Sequence, residues 1–69
     1  MNIKGEYLGD ALEKWHPLQE VNVYDTASSG EFVATWQIDQ VPQEEKQNTW
    51  YFAEPVDENG EYTNPKLKD

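Results

Sequence analysis

The chain has 69 residues, no cysteine and a net charge of −9, from fourteen acidic residues against five lysines. A chain of this length has room for one domain with a small core, and without cysteine it has neither disulfides nor thiolate ligands. Binding to nucleic acid or to an anionic membrane depends on basic residues, so the charge argues against direct contact with either. No basic leader or long apolar run is present, which predicts a cytoplasmic protein.

The first sixteen residues predict an amphipathic helix. Apolar side chains recur at helical spacing across residues 3–15 and would line one face. Asp10 and Lys14 are expected to form an ion pair on the exposed side. His16 precedes a proline, which disfavours helical backbone, so the helix should end there with the imidazole near its negative end.

Alternating apolar residues predict three strands, at residues 20–24, 32–41 and 49–53. The second of these is expected to be the middle strand of the sheet, because its alternation is the longest. The polar segment 25–30 between the first two is typical of a hairpin connection. Asn59-Gly60 predicts a further two-residue turn, with a short fourth ladder beside it.

These elements predict an α+β fold in which one N-terminal helix packs on a three-stranded antiparallel meander, or on four strands if the last ladder forms. The whole chain is expected to be one small domain, with residues 55–69 either a hairpin or a frayed tail. A small all-β barrel is the alternative fold. The expected core consists of the helix stripe and one face of each strand: Leu8, Ala11, Leu12, Trp15, Leu18, Val21, Val23, Phe32, Ala34, Trp36, Ile38, Trp50 and Phe52.

Residues 8–25 combine an L-x-x-x-L helix, a proline-marked turn and a V-x-V-x-D strand. The matching positions are Leu8, Leu12, Pro17, Val21, Val23 and Asp25. This segment resembles the leader of many small phage and prophage accessory proteins. The resemblance implies a similar fold and, because some acidic proteins of this kind inhibit host enzymes, an inhibitory role; it implies no individual functional residue.

The residues of catalytic type do not form a converging set, so we expect no enzymatic activity. His16 is the single histidine, and Ser28 and Ser29 lie in the predicted turn with no base beside them. Acidic residues around Gly60 superficially resemble a calcium loop, but the glycine stands fourth rather than sixth and Lys68 occupies the twelfth position. We therefore expect no metal site and no cofactor.

The sheet face turned away from the helix is the first candidate binding surface. It is predicted to carry two tyrosines and small side chains, bordered by carboxylates. Tyrosine is enriched in the centres of protein interfaces, although such side chains also stabilise sheets through ordinary cross-strand contacts. The predicted surface comprises Tyr24, Val33, Thr35, Tyr51 and Ala53, bordered by Asp25, Glu31 and Asp39.

The second candidate is the acidic array of the later loops, which carries carboxylates at Glu44, Glu45, Glu54, Asp57, Glu58 and Glu61. Carboxylates two residues apart on a strand lie about 7 Å from each other, and carboxylates spaced in this way can imitate a run of phosphates. The sequence thus predicts a non-enzymatic module that binds a basic protein through an acidic rim and a tyrosine-bearing face. The alternatives are a nucleic-acid mimic that inhibits a host enzyme, a small carboxylate enzyme, and a homodimer formed through the same sheet face.

Overall fold

The computed structural model describes residues 5–68, which form one helix and a four-stranded antiparallel sheet. The α+β prediction is therefore confirmed, and a count of four strands lies within it, but the fourth strand is a short one at residues 6–7, and the predicted last ladder is only an isolated bridge between Val56 and Tyr62. The sheet order is β1-β4-β2-β3, and helix α1 covers one face. Across residues 5–68, no helix combines the length and apolar character that a bilayer span needs. The elements are β1 (Glu6–Tyr7), α1 (Leu8–Lys14), β2 (Glu20–Asp25), β3 (Glu31–Gln37) and β4 (Tyr51–Val56).

Helix α1 packs through the predicted apolar stripe. Leu8, Ala11 and Trp15 are buried in the core against β2 and β4. The helix is shorter than expected, because Glu6 and its neighbour pair with β4 as strand β1 before the helix begins. The part of the expected helix before residue 5 lies outside the described residues. The ammonium of Lys14 donates to Glu6 at 3.0 Å rather than pairing with an acid within the helix, and this bond raises the pKa of Lys14.

The predicted position of the 32–41 strand at the centre of the sheet is wrong. Strand β3 lies at the edge and pairs with β2 alone, while β4 pairs with the other side of β2. The connection through residues 38–50 is long enough to carry the chain past β2. Ile38 and Val41 are buried in the core at the start of this connection and hold it against the domain.

A β-bulge inverts the facing of β3 near its start. Val23 pairs with Ala34, but the next residue of β2, Tyr24, pairs with Phe32, so Val33 has no partner. The extra residue changes which side chains point inward. Val33 consequently packs against the core, whereas Phe32 is 59 % exposed on the opposite face. The predicted facing of both residues is wrong, and that of Ala34, opposite buried Val23, is right.

The predicted facing of β4 is also inverted. Ala53 is fully buried opposite Val23, and Tyr51 packs against the core, whereas Trp50 is 61 % exposed before the strand begins. Strand β4 continues through Pro55 to Val56, beyond the predicted end at residue 53. The carbonyl of Pro55 accepts from the amide of Thr63, so its ring nitrogen faces away from β2 and costs no ladder bond.

Other core predictions fail where the chain turns. Leu18 is 55 % exposed, and its neighbour Gln19 is the buried residue instead. The amide of Gln19 donates to the carbonyls of Glu20 and Val56 and accepts from the amide of Lys66. Burying this polar side chain is tolerated because its hydrogen bonds join three separate segments.

The hairpin predicted at Asn59-Gly60 is confirmed. Val56 and Tyr62 form an antiparallel bridge, and the amide of Gly60 donates to the carbonyl of Asp57. Gly60 has a φ of +78°, whereas Asn59 does not have a positive φ. A type I′ turn needs a positive φ at both central residues, so this is not the two-residue turn that the dipeptide predicts. It is a longer hairpin loop that ends with a glycine in the left-handed conformation.

The segment after this hairpin returns to the end of α1. Leu67 forms a bridge with Trp15, the amide of His16 donates to the carbonyl of Lys66, and the amide of Lys68 donates to the carbonyl of Lys14. The carbonyl of Lys14 belongs to the last turn of the helix, where it would otherwise depend on water. These bonds join residues 66–68 to the end of the helix.

Two glycines should respond in opposite ways to alanine. A Cβ at Gly5 would lie 2.5 Å from the Ala53 carbonyl and 2.7 Å from the Phe52 ring, whereas a Cβ at Gly9 meets nothing within 4 Å. We expect Gly5→Ala to lower the free energy of unfolding by about 1–3 kcal/mol, because backbone must move. Gly9→Ala, within the helix, should raise it by up to about 1 kcal/mol. Urea denaturation of both variants checks this; equal effects would contradict the close packing of Gly5.

Candidate functional site

The sheet face that α1 leaves uncovered carries one aromatic ring from each strand. Pairing brings Tyr7 opposite Phe52, Phe52 opposite Tyr24, and Tyr24 opposite Phe32. Residues opposite each other in an antiparallel sheet point to the same face, so the four rings form a row across all four strands. We call these four residues the aromatic row.

The aromatic row consists of two edge-to-face pairs. The rings of Tyr7 and Phe52 have centroids 5.7 Å apart, and those of Tyr24 and Phe32 have centroids 5.8 Å apart. The end members are the most accessible, with Tyr7 50 % exposed and Phe32 59 % exposed. Edge-to-face contact stabilises such pairs by about 0.5–1.5 kcal/mol but leaves much of each ring in contact with solvent.

An open pocket of about 480 Å³ lies between the two ring pairs. It is lined by Tyr24 from one pair and Phe52 from the other, with Thr26, Gly30 and Glu54 completing its wall. The hydroxyl of Tyr24 donates to Oε1 of Glu54 at 3.4 Å. Burial, and then the negative charge of Glu54, raise the pKa of Tyr24 above its ordinary value. The phenol is therefore neutral at pH 7, while the carboxylate retains free acceptor positions.

Polar groups beyond the row continue the same face. Asn22 lies opposite both Glu54 and Thr35, and the Thr35 hydroxyl donates to the Asn22 side chain at 2.7 Å. Glu20 follows at the next alternate position of β2. None of the four lysines within residues 5–68 lies in a strand, although Lys66 of the C-terminal segment lines a pocket with Glu20 at this end of the face.

The structure divides the predicted binding surface between the two sides of the sheet. Tyr24 and Thr35 lie on the uncovered face, as predicted. Val33, Tyr51 and Ala53 lie on the core side, where none of them is available as an outer contact surface. Val33 lies on the core side because of the bulge in β3. Tyr51 and Ala53 lie there because the side chains of β4 alternate in the opposite sense to the prediction.

Three of the predicted acidic residues group with Tyr51 instead of with Tyr24: Asp25, Glu31 and Glu45. Asp25 is opposite both Tyr51 and Glu31, which places all three on one side at the end of the sheet. A hydrogen bond to Glu45 is the main cause that raises the pKa of Tyr51, followed by burial and by the charges of Glu45 and Asp25. The alternation in the sequence predicted Tyr51 on the same face as Tyr24, bordered by Asp25 and Glu31. In the structure Tyr51 and the three acids form a second, acidic surface at this end of the domain, next to the aromatic row.

The remaining predicted residues lie apart from the row. Asp39 is exposed in a short 3₁₀ helix, Ile38–Gln40, where its amide donates to the carbonyl of Pro17. Glu44 is exposed in the turns that follow Pro42. Both residues contribute to the negative charge of the chain.

His16 and Asp57, two residues of catalytic type, accept hydrogen bonds from backbone amides in turns. Nδ1 of His16 accepts from the amide of Leu18 at 3.1 Å, so its ring stabilises the turn after the helix rather than acting as the expected helix-end charge. The side chain of Asp57 accepts from the amides of Asn59 and Glu61 within the hairpin. Between residues 5 and 68, no group of three or more metal-ligating acids or histidines is assembled.

Sequence reasoning missed Tyr7, Phe32 and Phe52 as surface residues. One signal was available for Phe52: Glu54 follows it two residues later, so both share a face of any strand that extends past Ala53. A carboxylate in phase with an aromatic ring indicates an exposed face rather than a core face.

Comparison of the chain with family models, curated proteins and solved structures finds no match.

Proposed function

We propose that this chain is a non-enzymatic binding module whose uncovered sheet face contacts a basic protein. The observation that carries the proposal is the aromatic row, one ring from each of four strands on the face opposite α1, with the end rings Tyr7 and Phe32 exposed and the central two half-buried. Aromatic side chains dominate the energetic centres of protein interfaces because they offer large contact areas at low entropic cost. An exposed group of them marks an interaction surface.

The charge of the domain specifies the chemistry of the partner. Carboxylates occur on the row face and at the neighbouring sheet end, and the whole chain carries a net charge of −9. Such a field accelerates the approach of a positively charged protein and repels acidic ones and nucleic acids. In this proposal the charge guides association, and the dry aromatic contact provides most of the lasting affinity.

The experiment is capture from a cell lysate at low salt and at about 0.5 M salt, followed by identification of the captured protein. The resemblance of residues 8–25 to phage accessory proteins makes a bacterial cytoplasmic lysate the first choice. The row variant is Tyr7→Ser combined with Phe32→Ser, and the control is Leu18→Ser, which removes an equally exposed apolar side chain elsewhere.

We expect one basic protein to be retained at both salt concentrations by the wild type and the control and lost by the row variant. Equal retention by the row variant would contradict the proposal. Binding that survives in the row variant but disappears at high salt would favour the nucleic-acid mimic, because its affinity depends on charge alone. Sedimentation of the free chain over a concentration series distinguishes a homodimer formed through the same face.

A further inference from the structure

From the pocket between the ring pairs, we infer that the row face binds an arginine side chain of its partner. The inference rests on the proposed function and specifies which group of a basic protein enters the site. Its structural basis is the juxtaposition of two aromatic walls, Tyr24 and Phe52, with the carboxylate of Glu54 at their edge.

The two rings suit a cation with a flat or apolar body. Tyr24 and Phe52 are cross-strand neighbours, yet each makes its edge-to-face contact with a different ring, Phe32 and Tyr7 respectively. The pocket between them therefore has ring surface on two sides. Cations are attracted to aromatic faces, and arginine is preferred over lysine because its planar guanidinium stacks on rings and is weakly hydrated.

Glu54 gives the pocket its charge and its direction. One of its oxygens accepts from the Tyr24 hydroxyl at 3.4 Å, which holds the carboxylate at the edge of the ring. Its remaining lone pairs can accept from a guanidinium, whose forked donors match a carboxylate. Along the pairing with β2 and β3, the residues beside Glu54 are the neutral Asn22 and then Thr35.

An apolar side chain would fit the pocket less well. It would cover Glu54 and the Tyr24 hydroxyl without replacing the water bonded to them, which costs free energy for each buried polar group left unpaired. A carboxylate would be repelled by Glu54. Only a group that is apolar along its length and cationic at its end satisfies both the ring walls and the acid.

The test uses three capped pentapeptides, Gly-Gly-X-Gly-Gly, in which X is arginine, lysine or the neutral isostere citrulline. Each is titrated into the isotopically labelled full chain, and the ring and amide NMR shifts are recorded. Glu54→Gln removes the charge in the pocket. Glu58→Gln is the matched control, because it removes the same charge from an exposed residue of the C-terminal turn.

We expect shifts at the Tyr24 and Phe52 rings, with the arginine peptide binding about three- to tenfold more tightly than the citrulline peptide. The lysine peptide should bind with intermediate strength. Glu54→Gln should weaken binding of the arginine peptide by about the same factor, and Glu58→Gln by less than about twofold, since exposed charges at a distance are screened.

Equal weakening by the two substitutions, or equal binding of arginine and citrulline, would overturn the inference, because either result reduces the effect to general charge. The proposed function fails separately. If the captured protein depends on Phe32 but not on Glu54, the face binds protein and the arginine pocket is wrong. If the peptide binds in the pocket but no protein depends on the row, the pocket stands and the proposed function is wrong.

Discussion

Trp15→Ala is expected to remove about 3–5 kcal/mol from the free energy of unfolding, the range for deleting a buried aromatic side chain. Trp15 is only 3 % exposed and belongs to the core cluster, and its backbone forms the bridge to Leu67. A domain of this size is stabilised by roughly 3–10 kcal/mol in total. The loss is therefore a large fraction of the total stability, and the urea midpoint of the variant should fall accordingly.

The matched control is Trp50→Ala, because the sequence places both tryptophans in the core and the structure places only one there. Trp50 is 61 % exposed, and its hydrogen bonds to Asn48 and Thr26 use backbone atoms that alanine retains. We expect a change within about 0.5 kcal/mol. Circular dichroism during urea titration measures the free energy of unfolding of both variants. A large decrease for the Trp50 variant would contradict the structure and would mean that Trp50 is buried in the core, as the sequence predicted.

Gln19→Leu is expected to lower the free energy of unfolding by roughly 2–4 kcal/mol, although leucine is apolar and similar in size. The substitution leaves the buried carbonyl of Val56 and the amide of Lys66 without the bonds that Gln19 provides. Each unpaired buried polar group costs about 1–3 kcal/mol. Because these partners come from β4 and from the C-terminal segment, the loss should detach that segment first.

Amide hydrogen exchange locates this effect. In Gln19→Leu the amides of Lys66 and Lys68 should exchange faster than those of β2, while in wild type they are protected by hydrogen bonds to the 14–19 region. Gln47→Leu is the control for the same chemical change at an exposed site. A Gln19 variant as stable as the control would mean that the side chain does not join these segments.

Local sequence patterns predicted an element well where the pattern lies within that element alone. The stripe through Leu8, Ala11 and Trp15 gave the buried helix face, and Val21 and Val23 gave the inner face of β2. The Asn59-Gly60 signal located the last hairpin. These features depend on residues close in the sequence, and the periods of helix and strand report them directly.

Strand order and facing were predicted poorly because they depend on contacts between distant residues. Alternation in β3 is the same whether that strand lies at the centre or at the edge of the sheet. The bulge at Val33 has no signal, because Val33 and Ala34 are both apolar and either could face inward. The bulge shifts the phase by one residue, so Phe32 and Val33 have the opposite facing to the prediction, while Ala34 and Thr35 after it keep the predicted one.

The candidate site depended on those same shifts. The sequence identified Tyr24 and Thr35 correctly as members of the outer face, but it assigned Tyr51 and Val33 to that face and Phe32 and Phe52 to the core. A chemically similar surface of tyrosine and carboxylate was thus expected with the wrong members. The acidic character of the domain, which depends only on composition, needed no knowledge of the fold.

Hydroxyl-radical footprinting tests the aromatic row most directly, on the free chain and on its complex with the captured basic protein. The account predicts strong labelling of Tyr7 and Phe32 in the free chain and protection of both in the complex, with Leu18 labelled equally in the two states. Weak labelling of Phe32 in the free chain would contradict its position on the uncovered face, which depends on the bulge at Val33. Protection of Leu18 while the row stays accessible would show that the partner binds elsewhere.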